Sequence, residues 1–390
     1  MIKKCSIFLF AVFWLLLGLP VNASGSTAVV SEEALCDQAK GAYLMEASSG
    51  REIYAKNAEE KLYPASMTKM MGLLLIYEQL NAGSLQLSDM VTTSETAAGM
   101  GGSQVYLEVG ETMSVEDLLK SICIASANDA MVAMAEKIGG THAGFVEMMN
   151  AKAKELGLVN THFTNASGLH DPDHYSCPRD MAIIGAALLA EGGEDLLAIT
   201  STYDAYIRED SDQQFWLVNT NKLIKQLEGA DGLKTGYTSQ AGSCITLSAR
   251  RNGLRLIGVV MGEPDGKTRN QEVSELMEYG FARFEQKQLY QKGEQVDTLV
   301  NEKGDPPTMP LVTMEDACYV VEKGKESTVV RKELQITQDA PPYDPDTSCA
   351  QLIVTMSDGY RFSVPLSVEK EVQRASYLDL WIRSFRQMLA

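Results

Sequence analysis

The stretch Pro64-Ala65-Ser66-Met67-Thr68-Lys69 is followed at once by the apolar run Met70-Met71-Gly72-Leu73-Leu74-Leu75-Ile76-Tyr77. The run is apolar almost all the way round a helix, which indicates a helix buried in a core. Pro64 suits the first helical position, because its missing N–H would have no partner there. Ser66 and Lys69 are three residues apart, so they lie about one turn from each other on one face. A Ser-x-x-Lys pattern alone is common: it can be a nucleophile beside a base at the start of a buried helix, or only a polar first turn with a solvated lysine, and the rest of the chain has to decide.

Length and charge bound the class of protein. The chain has 390 residues and a formal net charge of −18. The length indicates two or three domains with a substantial core. The excess of acidic residues argues against nucleic acid, or any other polyanion, as a partner. The cysteine spacings match no metal motif, and we expect neither a metal nor a cofactor.

Residues 1–23 have the composition of a secretory signal. Lys3 and Lys4 form a basic start, and the chain is uncharged from there to Ala23. The segment ends in small or modest residues of the kind that signal peptidases accept. We therefore expect cleavage after Ala23 and an exported protein. An uncleaved N-terminal anchor is the alternative, but the apolar run is short for a membrane span and contains Pro20.

Residues 24–287 carry strand patterns at both ends and helical patterns between them. The expected strands are 41–46, 51–55, 232–238, 243–249 and 254–261, with the last two forming a hairpin. The clearest expected helices are 114–122, 128–138 and 179–189, with 275–286 as a closing helix. This order predicts one antiparallel sheet that is built from both ends of the domain around an inserted helical subdomain.

Residues 288–368 change to short β-rich runs separated by Gly, Pro and Asp turns. The runs lie at 317–321, 327–336, 352–356 and 360–366, which predicts a small all-β domain. Six cysteines remain after the predicted cleavage, and an exported chain permits disulfides. Cys318 and Cys349 are the best candidates for a pair, because both fall in this domain.

Residues 369–390 predict an amphipathic helix. The large apolar residues recur at helical spacing, whereas Asp379, Arg383 and Arg386 fall on other faces; the apolar set is Leu378, Trp381, Ile382, Phe385 and Leu389. Trp and Phe flanked by arginines suit a lipid interface, so we expect this helix to lie on a membrane surface. A helix docked on its own domain is the alternative.

The stretch 168–175 is a loop by its Gly, Asp and Pro content. His170 and His174 are four apart beside two aspartates, which invites a metal interpretation. Pro172 breaks the helix that would aim both imidazoles at one ion, so a structural or substrate-facing loop is favoured. A Ser-His-Asp triad using His170 is conceivable, but nothing in the sequence positions it.

Three short motifs stand in order along the chain: Ser66-Met67-Thr68-Lys69, Ser126-Ala127-Asn128 and Lys234-Thr235-Gly236. Each is weak alone, but the ordered trio is that of penicillin-binding proteins and class A β-lactamases. Together with 126–130, 168–172 and 231–238, it closely resembles the low-molecular-mass penicillin-binding proteins, the serine-type D-alanyl-D-alanine carboxypeptidases. The resemblance covers about residues 35–285, and the C-terminal layout matches more loosely. It implies the α+β DD-peptidase/β-lactamase-like transpeptidase fold. Ala127 stands where that family usually has glycine.

The resemblance also implies catalytic roles. Ser66 would attack the carbonyl of a D-Ala-D-Ala peptide bond and form an acyl-enzyme. Lys69 would be the base, kept neutral by burial and by the second cation, Lys234. Ser126 would relay a proton to the leaving amine, and Asn128 would hold the substrate amide and Lys69.

The remaining site residues would bind substrate. The backbone N–H groups of Ser66 and of Tyr237, the residue after Gly236, would form an oxyanion hole. Three side chains would recognise the free carboxylate of the substrate: Lys234, Thr235 and Arg269.

The leading hypothesis is an exported D,D-carboxypeptidase at the outer face of the cytoplasmic membrane. Its partners would be the peptidoglycan stem pentapeptide and β-lactam antibiotics. A β-lactamase is the second enzyme hypothesis, although the stretch 168–175 offers Asp171 and Asp173 but no glutamate for deacylation. A wall-binding protein with a catalytically silent cleft is the non-enzymatic alternative.

Overall fold

A computed structural model describes residues 35–209 and 211–389, so the predicted signal at 1–23 lies outside the described residues. The helices are α1 (Lys69–Asn81), α2 (Glu95–Ala98), α3 (Val115–Ile124), α4 (Asn128–Gly139), α5 (His142–Glu155), α6 (Pro178–Thr200), α7 (Gly266–Arg283) and α8 (Tyr377–Leu389). The strands of the first 265 residues are β1 (Gly41–Glu46), β2 (Glu52–Lys56), β3 (Met90–Thr92), β4 (Thr112–Ser114), β5 (Asp204–Ile207), β6 (Phe215–Val218), β7 (Ala230–Thr238), β8 (Gly242–Arg251) and β9 (Leu254–Glu263). Those that follow are β10 (Phe284–Tyr290), β11 (Gln295–Val300), β12 (Gly304–Asp305), β13 (Thr308–Thr313), β14 (Ala317–Glu322), β15 (Val329–Ile336), β16 (Ala350–Met356), β17 (Arg361–Val368) and β18 (Gln373–Arg374).

The main sheet has the order β2-β1-β9-β8-β7 and is antiparallel throughout. Strands from both ends of the region therefore share one sheet, as the sequence pattern predicts. Alternate residues of β1 enter different cores: Tyr43 packs with α1 and α6, whereas Leu44 packs with α7. Because helices cover both faces of the sheet, β1 is buried at every position.

Helix α1 is buried at nine consecutive positions, from Lys69 to Tyr77, so the prediction of a core helix is confirmed. Its start differs from the prediction. Ser66 lies in a separate 3₁₀ turn, Ala65–Thr68, and the α-helix begins only at Lys69. The backbone of Ala65 is left-handed, with φ 48°, and this prevents a continuous helix from Pro64.

Two other elements differ from their predicted bounds. The closing helix α7 begins at Gly266, nine residues before the predicted start, because the Asp265 carboxylate accepts hydrogen bonds from the N–H groups of Lys267 and Thr268. The region between the sheet's two halves is not wholly helical, since β5 and β6 form a hairpin within it.

The C-terminal domain is built on the five-stranded sheet β11-β13-β17-β16-β15, which has its own apolar core. The expected pairing of Cys318 with Cys349 is wrong: all six cysteines of the described residues are free thiols. Cys318 lies on β14, which pairs with β10, whereas Cys349 is buried beside the five-stranded sheet. One thiol therefore lies on a strand of the β10–β14 pair and the other lies just before β16, an arrangement that a shared domain does not reveal. Strand β10 follows α7 without a break and spans the predicted boundary at 287/288.

Candidate active site

The 3₁₀ turn that carries Ser66 is held between two glycines. A Cβ at Gly236 of β7 would lie 3.0 Å from the Ser66 nitrogen and 2.8 Å from the Pro64 oxygen. A Cβ at Gly168 would lie 1.9 Å from the Ala65 oxygen. Only glycine allows backbones to approach so closely. The turn is therefore clamped between β7 and the 168–175 loop, which leaves the Ser66 side chain half-buried at their junction.

Lys69 lies on the first turn of α1 and its side chain is fully buried. Its Nζ is 2.9 Å from Ser66 Oγ, 2.6 Å from Asn128 Oδ1 and 2.7 Å from the Ser167 carbonyl oxygen. The predicted one-turn spacing therefore places amine and hydroxyl in direct contact. The Ser167 carbonyl was not foreseen, because nothing in a sequence marks a backbone oxygen as a ligand of a lysine.

Burial has the largest effect on the pKa values of the two lysines in this site. It lowers the pKa of Lys69 well below its ordinary value, and the nearby charge of Lys234 lowers it further. Burial likewise lowers the pKa of Lys234 to about 7, with a further lowering from Arg269. The charge of Lys234 thus disfavours the charged form of Lys69, and that of Arg269 disfavours the charged form of Lys234.

The second motif lies at the N-terminus of α4. Ser126 is buried and its backbone is left-handed, with φ 63°, a conformation that concentrates at functional sites. Asn128 begins the helix; its Nδ2 donates to the Gly101 oxygen at 2.6 Å while its Oδ1 receives Lys69. Asp129, which the sequence analysis did not single out, accepts hydrogen bonds from the N–H groups of Val105 and Leu107. The residues after Ser126 therefore fix the neighbouring loop as well.

The third motif lies on β7, which is the outer strand of the main sheet. The backbone donors on its open edge are free of the sheet ladder and available to an extended peptide. Lys234 and Thr235 are buried, and the Thr235 hydroxyl donates to Thr220 Oγ1 at 2.8 Å. The ring of Tyr237 is exposed.

Arg269 stands on the first turn of α7 and is mostly buried. Its guanidinium donates to Asn270 Oδ1 through Nε at 3.1 Å and Nη2 at 2.8 Å. No hydrogen bond joins it to another of the site residues within 35–209 and 211–389. Its link to them is electrostatic, through Lys234.

His174 has a structural position rather than a metal-binding one. Its Nδ1 accepts the Thr164 N–H at 3.1 Å, so the proton sits on Nε2, which is 2.7 Å from Thr68 Oγ1. Burial lowers its pKa to about 4, which keeps the ring neutral. His170 packs edge-on against Tyr63 at 4.7 Å. Across the described part of the chain, no three potential ligands form a metal site.

Comparison with known proteins assigns the chain to a family. The family described as D-alanyl-D-alanine carboxypeptidase matches residues 28–265, and the C-terminal domain of penicillin-binding protein 5 matches residues 284–374. The chain is 40% identical over 376 residues to D-alanyl-D-alanine carboxypeptidase DacF of Bacillus subtilis (strain 168), covering 95% of this chain and 96% of that protein.

Solved structures agree with the sequence relatives. Penicillin-binding protein 5 from Haemophilus influenzae superposes with a TM-score of 0.68 at 34% identity, covering 86% of this chain and 98% of that one. A peptidoglycan synthesis regulatory factor from Streptococcus pneumoniae superposes with a TM-score of 0.70 at 26% identity, covering 86% and 99%. These matches confirm the expected DD-peptidase fold. The chain belongs to the serine-type D-alanyl-D-alanine carboxypeptidases, the low-molecular-mass penicillin-binding proteins.

Proposed function

We propose that this carboxypeptidase is exported, removes the terminal D-alanine of peptidoglycan stem pentapeptides through a Ser66 acyl-enzyme, and is acylated by penicillin at the same serine. The observation that carries the proposal is the contact of Ser66 Oγ with a fully buried Lys69. The predicted organisation belongs to it: a catalytic domain at 24–287, a β-rich domain at 288–368 and an amphipathic segment at 369–390.

The acylation step follows from the contacts of Lys69. A neutral amine has two N–H donors and one lone pair, and Asn128 Oδ1 and the Ser167 oxygen take the donors. The lone pair is then left to take the Ser66 proton as Oγ attacks the substrate carbonyl. The N–H groups of Ser66 and Tyr237 stabilise the resulting oxyanion. When the C–N bond breaks, Ser126 passes the proton to the departing D-alanine, and water later hydrolyses the ester.

Substrate recognition uses the cationic side of the cleft. Lys234 supplies the charge and Thr235 a hydroxyl for the terminal carboxylate, with Arg269 adding to the positive field. Gly236 keeps β7 close enough to Ser66 for a substrate strand to lie along its open edge. A substrate carboxylate offsets the repulsion among these cations. Substrate binding therefore favours their charged forms.

The loop geometry supports carboxypeptidase over β-lactamase chemistry. Asp171 Oδ1 accepts the Asp173 N–H at 2.8 Å, and Asp173 is exposed to solvent. Neither carboxylate is hydrogen-bonded to Ser66 or Lys69 within the described ranges, so neither is placed to activate a deacylating water. The acyl-enzyme formed with penicillin should therefore be long-lived.

The test is mass spectrometry of the purified protein after brief exposure to benzylpenicillin, followed over hours, beside release of D-alanine from diacetyl-Lys-D-Ala-D-Ala. A persistent adduct on the Ser66 peptide together with D-alanine release supports the proposal. Penicillin that disappears without a lasting adduct points to a β-lactamase. An intact antibiotic and an uncleaved peptide mean a silent cleft.

The lysine pKa values predict the pH dependence of turnover. We expect kcat/KM for D-alanine release to rise with pH while Lys69 loses its proton, and to fall above about pH 7 as free Lys234 loses its charge. In Lys234→Arg the guanidinium stays charged over this range. The fall of kcat/KM at alkaline pH should therefore shift to a pH higher by more than about one unit, whatever the absolute value of kcat/KM. Initial rates from about pH 5 to 10 measure both limbs. An alkaline limb that is the same in both proteins would remove Lys234 from this role.

We also propose that α8 lies on a membrane surface. No helix within residues 35–209 and 211–389 is long and apolar enough to cross a membrane, so contact would be interfacial. Trp381 and Phe385 stack at 5.6 Å and remain exposed, whereas Arg383 on another side donates to the Gly304 oxygen. The helix is thus docked on its domain through one face and leaves an aromatic face open to a lipid interface.

Flotation with anionic phospholipid vesicles tests this placement. Replacing both Trp381 and Phe385 by serine should lower the bound fraction at least about fivefold, because the apolar face then has little to insert. Trp216→Ser, which removes an exposed indole from the catalytic domain, serves as the matched control and should leave flotation unchanged. Equal flotation of all three proteins would place the helix against the protein alone.

A further inference from the structure

The hairpin β5–β6 is joined to the active site by the residues that follow β6. Two residues beyond β6, the Thr220 N–H donates to the Ile124 oxygen at 3.1 Å, and its Oγ1 receives the hydroxyl of Thr235. Ile124 is two residues before Ser126. The return strand of the hairpin is therefore tied to both the second and the third motif.

The far end of the hairpin is tied to the loop that Asp129 holds. Arg208, with φ 56°, donates from Nε to Glu111 Oε1 at 2.6 Å and from Nη1 to the Val105 oxygen at 3.0 Å. The Val105 N–H in turn donates to Asp129, next to Asn128 of the site. The hairpin and the loop are thus held together by these contacts. Arg208 is mostly buried, which strengthens its charge-assisted pair with Glu111.

The outer face of this hairpin is aromatic. Tyr206 lies directly opposite Trp216 in the antiparallel ladder, so the two side chains stand about 5 Å apart on one face. They are 45% and 54% exposed, whereas Ile207 and Leu217 on the opposite face are fully buried. Trp216 Nε1 donates to Asp204 Oδ2 at 2.9 Å. The indole is therefore oriented, with its polar edge satisfied and a ring face open to solvent.

We propose that Tyr206 and Trp216 bind the glycan strand to which the stem peptide is attached. The apolar C–H faces of pyranose rings match exposed aromatic faces, and the second oxygen of Asp204 can accept a sugar hydroxyl. Such an oriented pair suits a ligand with flat apolar faces and polar edges. This inference rests on the proposed function, because it assumes that the substrate in the cleft is part of the wall polymer.

The distances are compatible with one substrate occupying both places. Trp216 is four residues from Thr220, so their Cα atoms are separated by at most about 14 Å. Four extended residues of a stem peptide before the scissile bond span about the same length. A sugar attached to the stem can therefore reach the hairpin while the D-Ala-D-Ala end contacts Ser66. A small peptide substrate would use the cleft alone.

Kinetics on two substrates test the inference. Trp216→Ala and Tyr206→Ala should each lower kcat/KM about tenfold or more on soluble glycan chains that carry stem pentapeptides. The same variants should stay within about twofold of the parent protein on diacetyl-Lys-D-Ala-D-Ala and in the rate of penicillin acylation. Trp216→Phe keeps an aromatic face and should recover most of the loss. Trp381→Ala, which removes an indole that is 66% exposed on α8, is the matched control and should behave as the parent on both substrates.

Fluorescence separates binding of sugar from binding of peptide. The sequence has three tryptophans, and Trp14 lies in the predicted signal, so in protein that begins after Ala23 the single substitution Trp381→Phe leaves Trp216 as the only indole. Glycan strands freed of their stem peptides should change its emission with saturation, and the free stem pentapeptide should not. A response to the peptide alone would make the hairpin a peptide subsite and overturn the inference, as would no response to either. If D-alanine release and penicillin labelling fail in the parent protein, it is the proposed function that fails, whereas normal release with no effect of the hairpin variants refutes only the glycan site.

Discussion

Ser66→Ala is expected to abolish both penicillin labelling and D-alanine release. The substitution removes the Oγ that we propose forms the acyl bond, and loss of a catalytic serine costs on the order of 10⁴-fold or more in turnover. Lys69 keeps its contacts with Asn128 and the Ser167 oxygen, so the fold has no reason to fail. Mass spectrometry and a D-alanine assay measure the two losses, and thermal unfolding should place the variant within a few degrees of the parent.

Ser84→Ala provides the control for this experiment. Ser84 is exposed, and within residues 35–209 and 211–389 its hydroxyl donates only to Gln79 near the end of α1, so acylation and turnover should be unchanged. A Ser66→Ala protein that still formed a stable adduct with benzylpenicillin would show that another nucleophile operates. In that case the contact between Ser66 and Lys69 would be structural.

Gly168→Ala should also damage the site, although it replaces none of the proposed catalytic residues. The new Cβ would meet the Ala65 oxygen at 1.9 Å and the Ser66 nitrogen at 3.0 Å, and both are backbone atoms that cannot rotate away. The position also has φ +84°, which costs a side chain about 1–2 kcal/mol. The turn carrying Ser66 must therefore shift, and a displacement of about 1 Å costs on the order of 10²-fold in rate. We expect acylation by benzylpenicillin to slow at least that much, with a lower unfolding temperature.

Gly83→Ala separates the clash from the backbone strain. Gly83 has φ +70° and nothing within 4 Å of the added methyl group. Its substitution should cost about 1 kcal/mol of stability and leave the acylation rate unchanged. If Gly168→Ala and Gly83→Ala acylated at the same rate, the close approach of Gly168 to Ser66 would not govern the geometry of the nucleophile.

Residue spacing carried the prediction of the catalytic centre. Ser66 and Lys69 could be paired because a helical turn brings residues three apart together, whether the turn is 3₁₀ or α. The motif order predicted a site shared by a buried helix and a strand. By contrast, the start of α7 depended on the Asp265 cap, which the sequence analysis overlooked although an Asp before a helix is a recognised signal. The hairpin β5–β6 escaped because its strands are four residues each, too short for a periodic pattern.

By itself, the sequence determined the catalytic motifs, the sheet built from both ends of the domain, the buried character of α1 and the family of the protein. Local spacing and patterns of apolar residues suffice for these, because they depend on neighbours along the chain. Only the tertiary structure decided that the Ser167 carbonyl contacts Lys69, that Gly168 clamps the turn carrying Ser66, that Cys318 and Cys349 remain free thiols, and that Trp216 lies on a hairpin joined through Thr220 to the active-site strand β7. Each of these depends on backbone or side-chain contacts between segments far apart in sequence, and neither the type nor the spacing of the residues specifies such a contact before the chain has folded.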